Sequence, residues 1–161
     1  MSAVLRWTGS GKLISFYRYF SFNVPRVTTA SGIVLLLGVG AIRLYWLTGG
    51  FLVSNFPVYL TACVVLLVIA ALLASAAMVV GRRPGLVRIG WALGSVVSAA
   101  SIAMYVVSRI LGLPGLPQLV QRWDYALGTF SMALAAMYLM LHFSVLTGMN
   151  VAYPERRQWH D

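Results

Sequence analysis

Few side chains in this 161-residue sequence can do chemistry. Its acids are Asp124, Glu155 and Asp161, none inside an apolar run, so no carboxylate pair is placed for general acid–base work or metal-assisted phosphoryl transfer. Cys63 is the one cysteine; it has no Cys-x-x-Cys partner for thiol exchange and no ligand neighbour for a metal. A buried thiol in apolar surroundings is its expected state. Neither a Gly-x-Ser-x-Gly elbow nor a phosphate-binding Walker loop is present. His142 is the ionisable residue set deepest in an apolar run, and such a residue is a functional candidate by default. Haem would call for a second axial ligand, and the only other histidine, His160, is near the C-terminus. A pigment, or a haem shared between two chains, is the alternative that one histidine permits. A proton relay would need further titratable groups beside it. The expected role is a hydrogen bond from His142 to a serine or a backbone carbonyl across a helix interface. Catalysis is not expected, nor is a bound cofactor or metal.

The elements that carry these residues follow from composition. Hydrophobic residues make up 60% of the chain and charged residues 9%, against roughly 25% charged in a soluble domain. So few charges cannot coat a water-exposed globule, which points to an integral membrane protein. The formal net charge is +9. Basic residues flank apolar runs here and do not share one face, so anionic lipid headgroups, not nucleic acid, are the expected counterpart.

A spanning helix needs about 20 mostly apolar residues. Four segments qualify: Thr29–Leu47, Pro57–Val80, Leu86–Leu111 and Tyr125–Met149. Asn55 is a candidate N-cap ahead of the second, with Pro57 suited to a first helical turn. Gly81 and Pro84–Gly85 turn the chain after it, and Gly148, Asn150 and Pro154 close the fourth. The short links make consecutive helices antiparallel neighbours. The expected fold is an all-α, four-helix up-down transmembrane bundle over residues 29–149, preceded by a cytoplasmic interfacial segment at 1–28 and followed by a tail at 150–161. A cleavable leader is not expected, because about thirty residues precede the first apolar run and no small-x-small site follows it.

Of the twelve Lys and Arg residues, nine (Arg6, Lys12, Arg18, Arg26, Arg82, Arg83, Arg88, Arg156 and Arg157) fall on one side and Arg43, Arg109 and Arg122 on the other. The positive-inside rule then places both termini in the cytoplasm of a plasma (inner) membrane. Tyr45, Trp46, Tyr59, Tyr105, Trp123 and Tyr125 mark the outer interface, and Trp91, Tyr153 and Trp159 the inner one. Arg43 and Arg109 lie near the outer ends of their runs, where they can snorkel to headgroups; contact with an anion or a partner is the sharper alternative. Asp124, the acid on that side, can pair with either, which makes Arg43, Arg109, Arg122 and Asp124 an outer charge cluster.

Ahead of the first span, Leu13, Phe16, Tyr17 and Phe20 follow i, i+3, i+4, i+7 spacing, with Arg18 on the opposite side. Over Ser10–Phe22 this predicts an amphipathic helix lying in the cytoplasmic interface, ended by Pro25. Docking on a partner protein is the alternative use of the stripe. Within the bundle, Gly90, Gly94, Ser98, Ser101, Tyr105 and Ser108 make a small, weakly polar stripe along the third span, and Ala70, Ala71, Ala74, Ser75 and Ala77 a looser one on the second. In lipid, helix association relies on close approach at such residues. His142 lines up with Gly128, Ser131, Ala135 and Tyr138 on a face expected to point into protein.

The outer loop reads Leu111-Gly-Leu-Pro-Gly-Leu-Pro117 and leads into Arg122-Trp-Asp-Tyr-Ala-Leu-Gly128. Over these residues, under a fifth of the chain, the sequence resembles small four-span membrane proteins of actinobacteria. Its layout is similar to the lipid-uptake coordinator subunits of Mce-type lipid importers and to accessory subunits of respiratory supercomplexes. The resemblance implies no catalytic residue. The empty inventory of reactive groups, the small-residue helix faces and the aromatic–basic segment lead us to expect an accessory, stabilising subunit whose partners are other membrane-protein subunits and anionic lipids. A small homo-oligomeric transporter or channel is the competing expectation; it would need a polar path, and the third span alone carries polar residues along its length.

Overall fold

The computed structural model describes residues 25–48, 57–80, 83–114, 120–121, 123 and 126–153. They form four α-helices: α1 (Pro25–Thr48), α2 (Val58–Val80), α3 (Pro84–Ile110) and α4 (Ala126–Leu146). All four are long and apolar enough to cross a membrane, and even the 21-residue α4 measures roughly 30 Å, the thickness of a bilayer core. The chain is a multi-pass membrane protein. The Ser10–Phe22 segment, with Leu13, Phe16, Tyr17, Arg18 and Phe20, lies outside the described residues, as do Arg122, Asp124 and the end of the C-terminal tail.

Helix ends differ from the sequence expectation where local chemistry intervenes. Pro25 opens α1; its missing N–H costs nothing in a first turn, where no carbonyl awaits it. Pro57 stands one residue ahead of α2, and its carbonyl accepts from the N–H groups of Leu60 and Thr61. Pro84 follows Arg83, whose extended backbone (φ −120°, ψ 113°) makes no side-chain cap. The fourth helix stops at Leu146, before the expected Met149. Gly148 there takes a left-handed φ of 77°, and the Asn150 N–H returns to the Ser144 carbonyl at 3.1 Å. That wrap satisfies last-turn carbonyls that α4 would otherwise leave open. The chain then runs back to the start of α1, where the Tyr153 N–H donates to Thr29 Oγ1 at 2.9 Å and Ala152 is fully buried.

Each helix packs against its neighbours in a closed ring, α1 on α2, α2 on α3, α3 on α4 and α4 on α1, while α1 and α3 barely meet across the diagonal. The outward faces are mostly apolar, as expected where lipid is the solvent; on α2 they include Leu66, Leu72, Leu73 and Val79. Cys63 is also exposed there, which corrects the expectation of a thiol enclosed by protein: in a lipid-facing helix an apolar environment does not require burial.

Candidate functional site

The interior divides into a packed half near the α2–α3 turn and an open half near the α3–α4 loop. In the packed half α3 presents glycines at its tightest contacts, beside the buried Val87, Trp91 and Val97. A Cβ on Gly94 would fall 2.6 Å from Tyr138 Cζ and 2.8 Å from Leu36 Cδ1, and one on Gly90 would fall 2.9 Å from Met78 Cγ and 3.0 Å from the Ala74 carbonyl oxygen. Spacings under 3.0 Å are ones real Cβ atoms do not adopt, so side chains of α1, α2 and α4 meet α3 at its glycines. Ser98 and Ser101 continue the same buried face. Nothing in the sequence pattern singled out Gly32, yet its position on α1 matches them: a Cβ there would be 3.0 Å from Trp91 Cη2.

The room left by these glycines is taken by aromatic rings. Trp91, expected at the inner interface, is fully buried with Tyr138, Leu36 and Met78. The correction has a steric cause: Gly32 leaves room for the indole, and Gly94 leaves room for the Tyr138 ring that stacks on it. Tyr138 stacks on Trp91 with centroids 5.6 Å apart, and its hydroxyl donates to the Trp91 carbonyl at 3.2 Å. His142 stacks on the same indole at 5.4 Å. Its Nδ1 is hydrogen-bonded to Ser95 Oγ across the α3–α4 interface, and Ser95 also lies 3.2 Å from the Trp91 carbonyl. His142 is thus a structural link between two helices, half-buried beside an aromatic stack. The described residues contain no group of three or more His, Cys, Asp or Glu side chains able to hold a metal.

In the open half the four helices diverge around a cavity of about 70 Å³. Arg43 of α1 and Arg109 of α3 both line it, with Ser101 and Ser108 of α3 and Gly128 and Ser131 of α4. Arg109 is only 3% exposed. The two arginines therefore turn inward, toward the bundle, where snorkelling outward to headgroups was the simpler expectation. Small residues on α4, Gly128 and Ser131, leave the space that makes this possible. The Arg109 guanidinium sits 5.1 Å from the Tyr105 ring centroid, a cation–π distance, and Tyr105 is held in turn by Thr129 at 3.0 Å and by the edge of Trp123.

The described residues that follow α3 are tied to this end of the bundle. Gly112 has a φ of 75°, the Gln121 N–H returns to the Arg109 carbonyl at 3.0 Å, and the Tyr59 hydroxyl donates to the Pro114 carbonyl at 2.6 Å. The expected outer cluster is thus represented by Arg43 and Arg109, brought together on one cavity, while Arg122 and Asp124 lie outside the described residues. His142 belongs to the other half, with Gly90 and Gly94. The α3 stripe joins the two halves, since Ser101 and Ser108 belong to it and also line the cavity. Compared with known proteins, the chain matches no family, no curated protein and no solved structure.

Proposed function

We propose that the chain is a non-catalytic subunit that packs into and stabilises a larger membrane complex, a lipid importer being the first candidate and a respiratory complex the second. The observation that carries this reading is the plug in the packed half. Leu36, Met78, Trp91 and Tyr138, one from each helix and none more than 1% exposed, fill the axis of the bundle. A chain so filled is suited to act through its outer surface and ill suited to pass a solute along its own axis. On that surface α3 exposes Ala92, Val96, Ala99 and Ala103 in helical register, and small side chains let a second helix approach closely in lipid. The inner glycine face is already occupied within the chain, so a partner would meet this outer stripe.

In this reading both termini are cytoplasmic in the inner membrane, supported by the nine-to-three split of basic residues. The Ser10–Phe22 stripe, with Leu13, Phe16, Tyr17 and Phe20 on one face and Arg18 on the other, lies in the cytoplasmic interface as an amphipathic anchor. Gentle extraction of the tagged full chain from its native membrane, followed by mass spectrometry, tests the proposal. It predicts reproducible co-purification with one transporter or respiratory core, lost in Ala99→Phe while the isolated chain keeps its helical content. A homogeneous self-oligomer that conducts ions in liposomes would replace this reading with the channel.

A further inference from the structure

We infer that the cavity at the loop end of the bundle is a binding site for the phosphate headgroup of an anionic phospholipid, with Arg43 and Arg109 as its cations. Two guanidinium groups line one small space, and enclosing the Arg43 guanidinium away from water is costly unless an anion answers it. Arg43 Nε is enclosed and has no hydrogen-bond partner. Among the described residues that line the cavity there is no acid. Ser101 contributes a third, independent sign: its side chain is 2% exposed, its hydroxyl lacks any partner, and it lines the same cavity. A buried hydroxyl and an arginine donor left without acceptors are what a site awaiting an oxyanion presents.

The volume of about 70 Å³ accommodates several waters at roughly 10–15 Å³ each, or one tetrahedral anion. The source is lipid, for two reasons. The cavity walls are mostly apolar, with Ile42, Leu60, Val64 and Met104 among them, so a soluble anion would exchange water for hydrocarbon. Trp46 and Tyr105 also line it, and Trp and Tyr favour headgroup depth, where lipid phosphates already reside. Next to the lining residues Gly128 and Ser131, Leu127 and Phe130 are exposed on α4 and offer acyl chains an apolar track. This site does not depend on the accessory role, since it would bind lipid whether or not the chain has a protein partner.

Native mass spectrometry of the intact, detergent-solubilised chain tests the site, with phosphatidylglycerol and phosphatidylcholine added in equal amounts. Phosphatidylglycerol should be retained about tenfold better, the factor expected for one charge-assisted hydrogen bond. Arg43→Gln should abolish the preference, and Arg88→Gln, exposed beyond the packed half, should leave it intact. Ser131→Leu fills the cavity with both arginines present and should also abolish it. Arg43→Lys should retain it, which keeps the test decisive if Arg43→Gln does not fold. Inorganic phosphate should not displace the lipid at millimolar concentration. Equal retention of phosphatidylglycerol by the wild type and Ser131→Leu would overturn the site. Phosphate binding that shows the same arginine dependence and displaces the lipid would overturn the lipid as its occupant.

Discussion

The Tyr138 hydroxyl stands where the side chain of residue 94 would begin. With Cζ 2.6 Å from the position of a Cβ on Gly94 and the hydroxyl hydrogen-bonded to the Trp91 carbonyl, one tyrosine fills the slot and joins α4 to the backbone of α3. Two effects oppose each other at Gly94. Alanine would gain up to about 1 kcal/mol of helix propensity, but forced overpacking costs about 1–3 kcal/mol. With backbone-tethered aromatic atoms on the far side, overpacking wins.

Gly94→Ala should therefore lower the thermal midpoint in detergent, and Gly94→Leu should prevent a monodisperse fold. Gly85 is the control, because nothing lies within 4 Å of a Cβ there; Gly85→Ala should be neutral or slightly stabilising. Tyr138→Phe should cost about 1 kcal/mol in the wild type for its lost hydrogen bond, and less in Gly94→Ala, where removing the hydroxyl relieves crowding. Additive losses in that double variant would contradict the shared slot.

Ser95 and His142 make a second test of the α3–α4 interface. Hydrogen bonds between membrane helices average about 0.6 kcal/mol and reach about 1.7 kcal/mol in double-mutant cycles. Ser95→Ala and His142→Leu should each destabilise by an amount in that range, and the double variant by little more than one of them. His142→Gln, which keeps a polar partner of similar reach, should fold normally. Purified wild type with a visible absorbance that disappears in His142→Gln would instead assign a pigment or haem to this histidine.

The return of the chain onto α1 depends on one hydroxyl with two roles. Thr29 Oγ1 donates to the Pro25 carbonyl at 3.0 Å and accepts from the Tyr153 N–H at 2.9 Å. Thr29→Val removes both bonds and Thr29→Ser keeps both. We expect amide exchange at Tyr153 to be about fivefold faster in Thr29→Val, equivalent to the roughly 1 kcal/mol of a typical hydrogen bond, and unchanged in Thr29→Ser. Gly148→Ala should loosen the same turn, since a left-handed φ of 77° strains any residue with a Cβ by about 1–2 kcal/mol.

Orientation is tested by single cysteines at positions 115 and 157 in a Cys63→Ala background, probed with an impermeant maleimide on intact cells. Gly115→Cys should label from outside and Arg157→Cys only after lysis. Removing Cys63 matters because it is exposed on α2. The reverse labelling pattern would invert the topology and place the arginine cavity at the cytoplasmic face.

The four spans were legible in the sequence because length and apolarity are local properties: a run such as Val58–Val80 must cross a bilayer whatever its neighbours do. The Gly90–Gly94–Ser98 stripe was legible for a similar reason, since helical period alone aligns it. Which surface meets that stripe was not. In lipid both faces of a helix are apolar, so the polar-to-apolar contrast that sets a soluble helix's rotation is nearly absent. Rotation is decided by how rings and glycines interlock across the bundle. That interlocking drew Trp91 from the interface into the core through the slot beside Gly32, a residue that no sequence pattern marked. It also turned Arg43 and Arg109, 66 positions apart, onto one cavity. Sequence could place both arginines near the same membrane surface; only the packing of the helices around the space beside Gly128 and Ser131 could bring them to one cavity.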